Sequence, residues 1–395
     1  MEMKLQKLWP LFGALCLSLS TAFADGTTQN GSSTYCSGMD PSSESGQETY
    51  QRGTFREITP SAGPRVAHGA DVFVTADFIW WKASEGGLNF SENSVIPKPY
   101  EAATPEEVFA PIPEGSFASV GEDWAPGFKV GIGLNTGHDG WDIYTQYTWL
   151  QPSDKKTQKG SNLKVPNYPI DYQIDPTTAT TGIDENKATW DLRFHAIDLE
   201  LGRNFYLSQF FTMRPHIGLK GTWQDHDWKI TSKIPGGVLV TIENPTGTEA
   251  LTGPSQIEKH YNVWGIGVRG GLNIACYISK CWSIYGDLSL SNLWTNYYKQ
   301  TSLLKIDDSG STEGPRARAI QNGGSGHTYT CRYVAELDIG LRWETWFYDD
   351  NYHFAIQAGW EQQNWINWSQ FERLGNLNSM DMSLQGPNLK LRFDF

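Results

Sequence analysis

From residue 71 onward, apolar and polar residues alternate in one segment after another. "VFVTADFIWWK" sets Val72, Val74, Ala76, Phe78 and Trp80 on one parity. "GFKVGIGLN" does so with Phe128, Val130, Ile132 and Leu134, and "WDIYTQYTWL" with Trp141, Ile143, Tyr147 and Trp149. In "FFTMRPHIGLKGTW", Phe211, Met213, Ile217, Leu219 and Trp223 oppose Thr212, Arg214, His216, Lys220 and Thr222. "NVWGIGVRGGLNI", "WSIYGDLSLS", "VAELDIGLRWE", "YHFAIQAGWE" and "NLKLRFDF" repeat the pattern. Period-two alternation over eight or more residues is the mark of a strand whose faces meet different solvents. "WDLRFHAIDLELG" starts with Trp190, Leu192 and Phe194, then changes parity to Ile197, Leu199 and Leu201. A β-bulge near His195 and Ala196 would repair that phase.

The connections supply the second signal. Short links ("NTGHDG", "YLSQF", the turn around Cys276–Cys281 and "FYDDN") alternate with polar, Gly- and Pro-rich stretches. Those longer stretches run to about 20–40 residues, and outer-membrane barrels segregate periplasmic turns from extracellular loops in this way. The expected fold is therefore all-β: a transmembrane antiparallel β-barrel of about ten strands, with short periplasmic turns and long extracellular loops. The stretch 232–242 resembles a small hairpin in a long loop, and its joining the wall would make the count twelve. Pro215 is awkward inside a closed wall, because proline gives up a ladder hydrogen bond. It should sit near the periplasmic rim or at a bulge.

The rest of the chain fits this reading. Lys4 and Lys7 precede the apolar "LWPLFGALCLSLS" and the small-x-small triplet Ala22-Phe23-Ala24, so residues 1–24 read as a secretory signal peptide. Residues 25–70 are rich in Ser, Gly, Thr and Pro and read as a flexible extension, which leaves 71–395 for the barrel. The 395 residues carry a net charge of −13 and no basic stripe, which argues against a nucleic-acid partner. Mean hydropathy is −0.46, a value compatible with a barrel, since only every second wall residue meets lipid. Tryptophans cluster near strand ends (Trp80, Trp81, Trp141, Trp149, Trp190, Trp223, Trp264, Trp282, Trp294, Trp343 and Trp346), as interfacial girdles would require.

"DLELGRNFYLSQFFTMRPHIGLKGTW" resembles the central hairpin of the Legionella-type major outer membrane protein family. "TADFIWWKASEGGLNF", "VWGIGVRGGLNI", "WSIYGDLSLSNLW" and the C-terminal "LQGPNLKLRFDF" are similar to further parts of it. The resemblance implies an outer-membrane location and pore formation, and supplies no catalytic residues. The terminal Phe395 is shared by most outer-membrane barrels and would be the signal read by the barrel-assembly machinery.

If the apolar parity meets lipid, the opposite parity lines the lumen. The basic lining would be Lys129, Arg193, Arg214, Lys220, Arg269, Arg342, Lys390 and Arg392, with His216. The acidic lining would include Asp77, Asp142, Asp191, Asp198, Glu200, Asp287, Glu336, Asp338, Glu344 and Glu361. Inward glycines such as Gly131 and Gly271 would leave room. A mixed-sign lining suits a conduit for ions and small polar solutes with weak cation preference. It also suits a salt-bridged lattice that closes a narrow barrel, the basis for an alternative adhesin or structural envelope protein. Asp225-His226-Asp227 falls at a strand end and reads as a solvated rim; no catalytic, cofactor or metal site is expected, and the chain is not read as an enzyme. After signal removal Cys36, Cys276, Cys281 and Cys331 remain, and four cysteines allow three pairings. A Cys276–Cys281 bridge could close the short turn. By resemblance to chlamydial outer membranes, these thiols could instead crosslink neighbouring envelope proteins. Expected partners are outer-membrane lipid, the assembly machinery, small solutes, a host surface or envelope neighbours, and a second copy of the chain.

Overall fold

A strand with one apolar and one polar face leaves its edges unpaired unless the sheet closes, and in a membrane closure is obligatory. The computed structural model describes residues 63–64, 66, 71–93, 116–136, 140–165, 183–233, 240–244, 247–251, 254–308, 316–324, 327–371 and 380–395. The expected signal peptide and most of the flexible extension lie outside these residues. In chain order the strands are β1 (Val72–Glu85), β2 (Asn89–Asn93), β3 (Ser116–Ser119), β4 (Trp124–Asn135), β5 (Trp141–Leu150) and β6 (Ser153–Lys164). Then follow β7 (Ile183–Arg203), β8 (Phe205–Ser208), β9 (Phe211–Lys233), β10 (Val240–Asn244), β11 (Gly247–Leu251) and β12 (Ser255–Tyr277). The last are β13 (Trp282–Asp308), β14 (Arg316–Gly324), β15 (Thr328–Phe347), β16 (Tyr352–Ser369) and β17 (Met380–Asp394).

The wall is a closed antiparallel ring of 10 strands. Its order is β1, β4, β5 continued by β6, β7, β9, β12, β13, β15, β16 and β17, which returns to β1. Closure is completed by β7 pairing with β9 and by β1 pairing with β17, down to reciprocal backbone bonds between Val72 and Phe395. The hairpin does not lie at 232–242 as expected: β9 runs on to Lys233, residues 234–239 lie outside the described residues, and the hairpin formed is β10–β11. Among the described residues it pairs only with itself, so the wall stays at ten and the alternative of twelve is excluded. Pro215 lies opposite Leu272 of β12, at the gap where β9 leaves β7 (Gly202↔His216) and picks up β8 (Phe205↔Met213). Part of the ladder is interrupted there, near the periplasmic end.

The expected bulge at His195 and Ala196 does not form. The register runs unbroken through Phe194↔Gln224, His195↔Trp223 and Ala196↔Thr222. What changes is the solvent, not the phase. Below His195, Ile197, Leu199 and Leu201 point outward and are exposed, as lipid-facing groups must be. Above it, Trp190, Leu192 and Phe194 point inward and are fully buried. The strand leaves the bilayer at this level, so its apolar parity turns from the outer face to the inner one.

Candidate functional site

The interior of the barrel has two storeys. In the extracellular storey most inward positions are occupied by apolar core side chains. Ile79 and Trp81 of β1, Trp190 and Phe194 of β7, Trp228 of β9 and Tyr261 of β12 meet Tyr297 of β13, Val334 of β15, Trp365 and Trp368 of β16, and Leu384 of β17. Leu88, Phe90 and Phe371 join them from the ends of the long connections. Trp365 packs edge-on against Trp368 at 4.6 Å and against Phe194 at 5.4 Å. These groups form one cluster that fills the bore. Trp81 and Trp190, expected in the interfacial girdle, belong to this plug, and Trp346 lines the periplasmic cavity.

A polar thread runs through the plug. Glu85 and His226 are both fully buried, with 3.0 Å between the carboxylate and His226 Nδ1. The same carboxylate accepts bonds from Trp190 Nε1 at 3.0 Å and Tyr261 at 2.5 Å. Gln224 accepts from Trp368 Nε1 at 2.8 Å and lies 3.1 Å from His226 Nε2. Burial alone would push the Glu85 carboxyl up, but the adjacent His226 and bonds from His226, Tyr261 and Ser369 hold it below its ordinary value of 4.5. Asp225 and Asp227, in contrast, point outward beside Arg193 at 3.7 Å each. The Asp225-His226-Asp227 triplet is thus split across the wall by strand geometry and does not converge on one point.

The periplasmic storey is ionic. Arg214 grips Asp142 at 2.5 Å and Glu200 at 2.9 Å, and donates to Asn273 at 2.8 Å. Lys220 bridges Asp198 at 2.9 Å and Glu336 at 2.7 Å. Arg269 binds Glu336 and reaches Glu200 at 3.2 Å. Lys129 pairs with Glu361 at 2.6 Å, and Arg392 and His353 both hold Asp394 at 2.6 Å. Asp338 accepts from Asn388 at 2.8 Å and lies close to the Tyr285 hydroxyl. Two of these cations also mark the boundary between storeys: Lys129 lies 4.8 Å from the Trp81 ring and Lys220 lies 5.7 Å from the Trp365 ring. Cations over indole faces let a charged layer abut an aromatic one without an unfavourable seam.

A cavity of ≈ 180 Å³ runs through the lower storey, from Lys129, Glu361 and Glu336 to Trp346, Tyr277 and Asn204 at the periplasmic rim. Lys129, Arg214, His216, Arg269, Asp287, Glu336, Asp338, Arg342, Glu344, Lys390 and Arg392 all line it, and Lys220 is buried beside it. Arg193 is the exception among the expected lining residues. It stands on the outer face with its side chain 55% exposed, and Asp191 shares that parity. Both would face inward only with a bulge at His195 and Ala196, and the register there is unbroken. The inward glycines also do not simply widen the bore. A Cβ at Gly271 would fall 2.6 Å from the His216 ring, and one at Gly131 would fall 2.5 Å from the Tyr144 hydroxyl. Their space is taken by neighbouring side chains.

The bridge expected between Cys276 and Cys281 does not form. Cys276 shares the outward parity of Ile274 and pairs with Ile284, whereas Cys281 is buried in the turn on the inner side. The wall stands between them. Cys281 is disulfide-bonded, and Cys276 and Cys331 are not. On the outer face, Trp149, His195, Trp223 and Trp264 are register partners across four adjacent strands. With Tyr147, bonded to His195 at 2.7 Å, they form the upper belt. Trp141, Trp282, Trp343, Tyr352 and Phe393 form the lower one.

Three solved structures cover most of the chain at low similarity. A major outer membrane protein from Thermus thermophilus shares 9% identity over 83% of this chain and 100% of its own, with a TM-score of 0.25. The Pseudomonas putida toluene transporter TodX shares 7% over 83% and 90%, with 0.23. A Pseudomonas aeruginosa FadL homologue shares 8% over 82% and 89%, with 0.24. At such scores the likeness says nothing about what this barrel carries. No curated protein matches the chain. Residues 64–395, the whole wall included, match the family described as Legionella pneumophila major outer membrane protein precursor, and the chain is a member of that family: a ten-stranded β-barrel of the outer membrane.

Proposed function

We propose that the protein is a gated outer-membrane channel for ions and small polar solutes, with the periplasmic storey as its selectivity region and the aromatic storey as its gate. The observation that carries this reading is the charged cavity of ≈ 180 Å³ reaching the periplasmic rim. A barrel that needed only to be closed could fill that storey with apolar side chains, as it does in the storey above. Apolar replacement of buried ion pairs is commonly neutral or stabilising. A mixed-sign, water-accessible lining is instead what orients and passes hydrated ions. Carboxylates hold a narrow majority over Lys and Arg along the cavity, which supports a weak preference for cations.

The filled extracellular storey favours a second reading, a structural or adhesive envelope protein with a closed bore. Planar-bilayer recording on gel-shift-verified folded protein separates the two. The channel reading expects discrete conductance steps with cation preference, reduced by Glu361→Gln. Silence from both the wild type and Trp365→Ala would assign the barrel to the closed class.

A further inference from the structure

The outer face of the barrel above the upper belt is not uniform. On β6, β7, β9 and β12 the wall continues well past Trp149, His195, Trp223 and Trp264, and the outward positions become charged. Arg193 comes first, beside Asp225 and Asp227. Lys155 and Lys229 flank Thr189 as register partners, with Lys187 one row higher opposite Thr231. Lys155, Lys187 and Lys229 line a shallow groove of ≈ 540 Å³ together with Thr189, Thr231 and the carboxylates Asp191, Asp227 and Glu258. Asp227 is held by His260 at 2.7 Å and by Arg193 at 3.7 Å. Lys229 shares Glu258 with Lys305. Among the described residues, neither Lys155 nor Lys187 has a carboxylate within ion-pair distance. Among the described residues the other side of the barrel lacks such a cluster: outward positions there are Lys82 on β1, Tyr333 on β15, Gln362 and Asn364 on β16, and Ser383 and Gln385 on β17.

Height selects the occupant. Lys229 is six residues beyond Trp223, which at ~3.4 Å per residue and a tilt of about 40° places it about 15 Å above the belt. The headgroup zone of an ordinary phospholipid leaflet is only about 5–7 Å thick. A simple phospholipid reaches Arg193 but not the groove. We propose that this groove binds the phosphorylated oligosaccharide headgroup of an outer-leaflet glycolipid. The lysines pair with its phosphates, and the threonines bond its hydroxyls. Ammonium–phosphate contacts are charge-assisted and roughly twice as strong as neutral hydrogen bonds. The acyl chains then lie against the belt and the apolar wall below it, so one molecule is held at both ends. This site lies outside the barrel and is independent of whether the bore conducts.

The test uses the full folded chain in detergent and a lipopolysaccharide with a phosphorylated core oligosaccharide, with binding read by native mass spectrometry. The comparison ligands are the same glycolipid after phosphatase treatment and its lipid A portion without the core. The variant is the triple Lys155→Gln, Lys187→Gln, Lys229→Gln. All three side chains lie on the outward parity, so folding is preserved, and heat-modifiability on gels verifies it; single Lys155→Gln serves as the milder version. The wild type should prefer the phosphorylated core by about tenfold or more, the equivalent of one charge-assisted contact. The triple variant should lose that preference, and Lys82→Gln on β1 should keep it. Equal binding by wild type and triple variant overturns the proposal. So does equal affinity for the core-less lipid A, or displacement by inorganic phosphate at matched concentration.

Discussion

The two storeys of this barrel obey opposite rules with the same strands. In the membrane-level storey the outer face is apolar and the inner face is ionic. In the extracellular storey the outer face carries Arg193, Lys155 and Lys229, while the inner face carries Trp190, Phe194 and Trp365. No bulge or register shift separates the two on β7 or β9. The lesson is that side-chain parity in a barrel is referred to solvent rather than to the backbone. Where lipid surrounds the wall, polar groups retreat inward. Where water surrounds it, apolar groups do, and the upper storey becomes an ordinary hydrophobic core inside a cylinder.

That contrast can be broken most forcefully in the core. Trp365→Ala removes a fully buried indole and should cost about 3–5 kcal/mol. Denaturant titration of the folded band would show it, and an unchanged midpoint would mean the upper storey is not a cohesive core. Next comes charge placement. Leu199→Arg puts a cation on the lipid face and should cost about 2–4 kcal/mol. Its counterpart Arg193→Leu, three rows higher on the same parity, should stay within about 0.5 kcal/mol as an exposed surface change. Equal costs for the pair would refute a solvent boundary at His195. A smaller effect is expected from Lys220→Met, which leaves Asp198 and Glu336 partly unpaired and should cost about 1–3 kcal/mol. The adjacent cavity softens this loss by admitting water.

The mildest test is by pH. The Glu85 carboxyl is held below its ordinary 4.5 in the folded plug. A group whose folded value is depressed contributes its stability above the unfolded value and loses it as pH falls through the folded one. Tryptophan fluorescence of the plug, reported by Trp190 and Trp368, should therefore stay constant above pH 4.5 and change under further acid. Glu85→Gln should flatten that transition, and an identical acid profile in the variant would rule Glu85 out as its source.

Much of this was legible in the chain. The lipid-facing sets Val74, Phe78 and Trp80, and Ile217, Leu219 and Trp223, follow from parity alone, and so do Arg214, Lys220, Arg269 and Glu336 on the inside. The barrel class followed from alternating loop length, and a count of about ten from the alternating segments, with twelve left open. Most of the errors fall at the upper ends of the strands. Trp190, Leu192 and Phe194 look lipid-facing because they are apolar and alternate, and a bulge was needed to reconcile them with Leu199. Alternation shows that two faces differ and does not say which side is wet. The plug's polar thread was equally hidden. Glu85, Tyr261 and His226 come from three strands distant in sequence, and nothing local marks them as partners.

The sequence by itself determined that the chain would form an antiparallel wall of about ten strands and which ends would carry short turns, because period-two patterning and turn residues act locally; that the count is ten and not twelve was decided by the hairpin staying off the wall. Tertiary structure alone decided where the bilayer ends along each strand, that the upper bore is filled, that Gly271 makes way for His216, and that Cys276 and Cys281 lie on opposite sides of the wall. Those outcomes depend on which residues the closed ring brings to the same height, and closure is a property of all ten strands together.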